Sequence, residues 1–67
     1  MLIKEGNYSG LVDINGNMLL IRSFVCFNGV IIGKIIYDDG IWLLNIKESK
    51  RKRIDQQEIE FDRLIKI

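Results

Sequence analysis

The chain has 67 residues, 48% of them hydrophobic and 28% charged, with a net charge of +1. This predicts one small globular domain over 1–67, with no overall pull on nucleic acid or an anionic membrane. There is no His, and Cys26 is the one cysteine, which excludes histidine-based triads, histidine zinc sites, internal disulfides and Cys-rich metal sites. The chain therefore reads as non-enzymatic, with no metal or cofactor expected.

The first predicted strand is Met1–Glu5. This opening lacks a basic stretch followed by a long apolar one, so it does not read as a secretory leader. Further strands are predicted over Tyr8–Ile14, Met18–Phe27, Val30–Tyr37 and Ile41–Glu48. They are separated by Asn15-Gly16-Asn17, Asn28-Gly29 and Asp38-Asp39-Gly40. Such pairs accept positive φ at low cost and mark hairpins. Short strands between regular turns predict a small antiparallel barrel or sandwich. Gly33, inside a strand, suggests a bulge or bend. Asp55 with Glu58 three residues on is a variant capping box. It predicts a short helical turn near Asp55–Phe61, followed by a last strand over Leu64–Ile67.

No apolar run exceeds four residues, whereas a membrane-spanning helix needs about 20; no membrane association is expected. Cys26 lies in Phe24-Val25-Cys26-Phe27 and reads as a small buried hydrophobe. The absence of disulfides fits a reducing cytoplasm. A domain of this size buries only about 60% of the surface its unfolded chain exposes, so a homodimer is one route to further burial.

The most conspicuous polar feature is Lys47, Lys50, Arg51, Lys52 and Arg53, half of the ten cations. Read as a loop, it has three uses. It docks a protein partner, contacts the phosphates of nucleic acid through Lys50–Arg53, or is merely solvated and balanced by the acidic segment that follows. Trp42 reads either as core filler or, with Arg side chains and Tyr37, as a surface anchor for a partner. Asp38 and Asp39 read as turn formers. Glu58, Glu60 and Asp62 read as a solvated polar face.

The segment Tyr8-Ser9-Gly10-Leu11-Val12-Asp13-Ile14-Asn15-Gly16 resembles the Y-T-G-L-x-D-x-N-G signature of the YopX family of phages and prophages. Gly33-Lys34-Ile35-Ile36-Tyr37-Asp38-Asp39-Gly40 is similar to that family's apolar strand running into an acidic-Gly turn. Where family members carry a motif like E-G-D-I-V, this chain reads Ile21-Arg22-Ser23-Phe24-Val25. The resemblance implies a mainly β, SH3-like barrel of five to six strands with one helical turn, standing without the family's longer N-terminal portion. It also implies a phage or prophage origin, and hence the cytoplasm of an infected or lysogenic host. Together these readings predict a small protein that acts by binding a host or phage protein, blocking or modulating a host target such as a defence nuclease, with a structural or assembly subunit as a further option. Its expected contacts are Tyr37, Trp42, Lys47 and Lys50–Arg53. The alternative is a small barrel that holds nucleic acid through Lys50–Arg53.

Overall fold

In a computed structural model, residues 7–67 are described; the strand expected over Met1–Glu5 lies outside them. The elements run β1 (Tyr8–Val12), β2 (Met18–Leu20), β3 (Phe24–Phe27), β4 (Ile31–Tyr37), β5 (Ile41–Asn45), β6 (Lys50–Arg53), α1 (Gln56–Asp62) and β7 (Ile65–Lys66). β1 and β2 form a two-stranded sheet, and the other five form a second sheet in the order β6-β5-β4-β3-β7. All pairs are antiparallel. The domain is mainly β with a single short helix among the described residues.

The described residues hold seven strands, a little above the five or six expected, for two reasons. The run Met18–Phe27 is broken at Arg22, whose φ is 73°. Arg22 N–H donates to the Ile35 carbonyl at 2.6 Å and Ser23 N–H to the Leu20 carbonyl at 3.0 Å. The chain thus turns a corner and leaves the small sheet for the large one. The second reason is that the basic run is not a loop: Lys50–Arg53 is β6, the edge of the large sheet. Pairing with β5, the stacking of Arg51 and Arg53 on Trp42 and the Lys52–Asp62 ion pair override the poor strand propensity of Lys and Arg.

The Asn28-Gly29 turn behaves as its sequence predicts. Both residues have positive φ, 53° and 84°, and with Val30 they make a three-residue connection between the paired residues Phe27 and Ile31. The helical turn also forms where expected. Asp55 is the N-cap, accepting from Glu58 N–H at 2.9 Å. The helix ends at Arg63 in the left-handed region, where Arg63 and Leu64 N–H reach back to the carbonyls of Glu60 and Ile59. This is a Schellman ending. The side-chain amide of Gln56 then anchors α1 to β1. It accepts from Val12 N–H at 3.1 Å and donates to the Val12 carbonyl at 2.8 Å.

Leu19, Ile21, Val25, Phe27, Ile35, Leu43, Ile54, Ile59 and Leu64 form one core. On β3, β4 and β5 these positions alternate with outward ones, as the two-residue period of a strand requires. Gly33 lies in that inward series. Pairing runs unshifted through it, Val25 opposite Gly33 and Gly33 opposite Asn45. So there is no bulge there. A Cβ at Gly33 would stand 2.6 Å from Leu43 Cδ1 and 3.0 Å from Phe27 Cε1; the glycine makes room for two core side chains.

The motif Tyr8–Gly16 is largely accounted for by local structure. The register shifts between Tyr8 and Leu11, and the Ser9 hydroxyl bridges the irregularity. It donates to the Leu19 carbonyl at 2.5 Å and accepts from Leu11 N–H at 3.1 Å. Asp13 is only 2% exposed. Its Oδ1 accepts from Asn15 and Asn17 N–H at 2.9 and 2.8 Å. Its Oδ2 accepts from Asn17 Nδ2 at 3.1 Å and from Lys66 N–H at 2.9 Å. Burial alone would push this carboxyl up, but the converging N–H groups outweigh burial and hold it below the usual carboxylate range.

Candidate functional site

The outward positions of the large sheet make a continuous surface. Register places Ile36, Trp42 and Arg53 in one cross-strand row. Phe24, Lys34, Leu44 and Arg51 form the next. Ile65, Cys26 and Ile32 form a third, and Ile46 adjoins it through its N–H bond to the Ile32 carbonyl at 3.3 Å. Phe24, Ile32, Ile46 and Ile65 are 41 to 48% exposed. Cys26 is half-buried in this face and does not belong to the core. An exposed apolar face of this kind is a candidate interaction surface.

Trp42 is the structural focus at one end. It does not fill the core: Leu43, the next residue, takes the inward position. The Arg51 and Arg53 guanidinium carbons lie over the Trp42 ring at 4.4 and 5.0 Å from its centroid. The indole N–H donates to the Asp38 carbonyl at 2.8 Å. Arg51 Nη1 pairs with Asp38 Oδ2 at 2.7 Å, and Arg53 Nη2 donates to the Asp39 carbonyl at 3.0 Å. The Asp38-Asp39-Gly40 turn, expected as a simple connection, therefore also fixes the two arginines against the indole. At this exposure each cation–π contact contributes about 0.5–1 kcal/mol. Lys34 Nζ lies 5.4 Å from the Phe24 ring centroid in the neighbouring row.

The residues expected to act together are divided by the strand pleat. Arg51 and Arg53 share the outer face with Trp42. Lys50 and Lys52 alternate to the other side, where Lys52 stands opposite the core residue Leu43. Lys52 Nζ pairs with Asp62 and lies 3.8 Å from Glu58 Oε2. Asp62 is 5% exposed, so it is a buried ion-pair partner rather than part of a solvated face. Lys47 lies in the turn between β5 and β6 and is exposed. Tyr37 is opposite Ile41 in register, one position off the Trp42 row. It is therefore on the other side of β4 from Trp42, and the two do not form one patch.

Under β6 lies a recess of about 310 Å³, lined by Phe27, Ile31 and Leu43 together with Asn45, Glu48 and residues 50–52 of β6. Among the described residues no three His, Cys, Asp or Glu gather as metal ligands would. No helix among them is long and apolar enough to cross a membrane.

Fold and surface together define a small antiparallel β domain with an open apolar sheet face and a cationic edge strand. No protein-family model matches the chain, and no curated protein or solved structure matches it significantly.

The signals for this surface were partly present in the sequence. Strands apolar on both faces, such as Ile41-Trp42-Leu43-Leu44, announce a second buried or interacting side. Phe24, Ile32 and Leu44 escaped notice as site residues because only the register brings them into adjacent rows.

Proposed function

We propose that this chain is a non-enzymatic binding protein that covers part of a partner protein with the outer face of β3–β6. The observation that carries this reading is the three-row face itself: apolar side chains from β3, β4, β5 and β7 with Lys34, Arg51 and Arg53 among them. Apolar rows supply affinity, and the cations steer a partner with carboxylates to the same surface. A second copy is a poorer occupant, because its own cations would meet these. The resemblance to the YopX family supports a phage or prophage origin. A host protein, such as a defence nuclease occluded by this face, is the natural partner in an infected or lysogenic cytoplasm.

Binding of nucleic acid is the weaker reading. The pleat leaves only Arg51 and Arg53 of the basic run on the aromatic face, and Arg51 is already paired with Asp38. That divides the expected phosphate contacts between two sides.

The test is affinity capture of the tagged chain from a Gram-positive phage host, with and without nuclease. A stoichiometric protein should survive nuclease and be lost when Ile32→Ser and Ile46→Ser are combined, with the amide spectrum otherwise preserved. Because both side chains are over 40% exposed, the pair should lower stability by under about 1 kcal/mol. Retained capture by that double variant overturns the assignment of the face. Co-purifying nucleic acid, with affinity falling steeply with salt, would replace the reading with the second one.

A further inference from the structure

β6 ends the large sheet, so one of its sides has no strand beside it among the described residues. Ile54 N–H donates to the Ile41 carbonyl at 3.1 Å. Antiparallel pairs alternate along a ladder, so Lys52 and Lys50 also direct their backbone groups to β5. The N–H and C=O groups of Arg51 and Arg53 then point to the open side. All four residues of β6 are exposed, and all four are cations.

An open edge is a template for a further strand. Here its charge restricts what can pair. A second copy would place Lys and Arg directly against Lys and Arg, which is destabilising. An extended segment with carboxylates at alternate positions meets Arg51 and Arg53 on the outer side, while on the inner side Lys52 is already paired with Asp62. Lys50 appears in no ion pair among the described residues, and each guanidinium has donors beyond those now used. The recess beside Lys50 and Lys52 lies on the inner side of this edge, with Phe27, Ile31 and Leu43 as its apolar part and Glu48 in its lining. Alternate side chains of an added strand would fall there, and Glu48 favours an apolar one over a carboxylate.

We infer that β6 is a docking edge for an extended acidic segment of the partner protein. The segment adds to the sheet beside β6, its main chain bonded to Arg51 and Arg53, with an apolar side chain set into the recess over Phe27 and Leu43. This rests on the protein-binding reading above and names the partner's chemistry. It also makes a polar strand, rather than the apolar face alone, the source of selectivity.

The probe is a synthetic peptide of about six residues, an ordinary strand length, alternating Glu and Val. It is titrated into the nitrogen-labelled full chain and compared with the same peptide N-methylated at alternate residues. The unmodified peptide should bind, with the Arg51 and Arg53 amides shifting most and gaining protection from hydrogen exchange. N-methylation keeps the charge but removes main-chain donors, and should cost about tenfold or more in affinity. Arg51→Pro should also abolish binding, since its N–H faces away from β5 and the ladder keeps its bonds. If that variant fails to fold, the peptide comparison still decides. Equal binding of both peptides, shifts confined to the Trp42 face, or no binding would each overturn the docking edge. If capture of a protein persists and still depends on Ile32 and Ile46, the binding-face reading stands alone. If both fail, neither stands.

Discussion

Asp13→Ala should remove most of the protein's stability at neutral pH. Four N–H bonds converge on this carboxylate, three of them from backbone groups of Asn15, Asn17 and Lys66. The side chain is 2% exposed. Orphaning partly buried donors and losing charge-assisted bonds costs about 3 kcal/mol at such a site. A core this small supplies only about 3–5 kcal/mol. Urea unfolding of the variant should therefore show a population already unfolded without denaturant. Asp13→Asn keeps the shape but turns an NH2 group toward at least one N–H donor, and should fall between the two. A variant with wild-type stability would show that the buried carboxylate does not organise the β1–β2 turn.

The same group sets an acid response. Its folded-state carboxyl lies below the usual value, which in an unfolded chain is about 3.9. Its stabilisation is therefore complete above that unfolded value. It is lost as pH falls through the folded value. Asp13 should add no slope to stability between about pH 5 and 7, and a decline below about pH 4. In Asp13→Asn the part of that decline owed to this carboxyl should vanish, which acid titration followed by circular dichroism would measure.

Gly33→Val should produce the other large loss. The Cβ alone would enter contact distance of Leu43 Cδ1 and Phe27 Cε1 and come within 3.2 Å of the Leu44 carbonyl oxygen. The first two can shift; the backbone oxygen cannot do so cheaply. Inserting methyl groups into a packed core costs about 1–3 kcal/mol, and Val adds two more carbons beyond that Cβ. Gly33→Ala should sit near the low end of that range and Gly33→Val at or above its top. Thermal melts of the pair would read the order. Equal stability of all three proteins would mean that the core beside Gly33 is loose.

Gly33 also marks where sequence reasoning ends. Its lack of a side chain was visible, but the choice between a bend and a close approach depends on which side chains fill the neighbouring strands. The turns were legible because Asn-Gly and Asp-Gly carry their backbone preference locally. The helix was legible because Asp55 and Glu58 cap within three residues. By contrast, the corner at Arg22 has no local signal: a left-handed Arg is held by its N–H bond to Ile35 on β4, with Ser23 N–H closing the turn onto Leu20. β6 was misread as a loop because its charges oppose strand propensity, and its strand state comes from pairing with β5. The aromatic and basic residues of the surface were recognised as types, yet their division between two faces follows from register alone. Trp42 shows this most directly: core and surface were both compatible with its neighbours until the inward position fell to Leu43.

The bonds that close the fold also have an order in time. Ile14 N–H reaches the Leu64 carbonyl at 3.1 Å, and Asp13 receives Lys66 N–H. During synthesis the β1–β2 hairpin leaves the ribosome before Leu64 to Lys66 do. Until they emerge, the carboxylate of Asp13 lacks one donor and β3 lacks its outer neighbour β7. Closure of this domain thus waits for a three-residue latch, Leu64 to Lys66. A nascent chain stalled just before Leu64 should remain protease-sensitive throughout, with no protected N-terminal fragment.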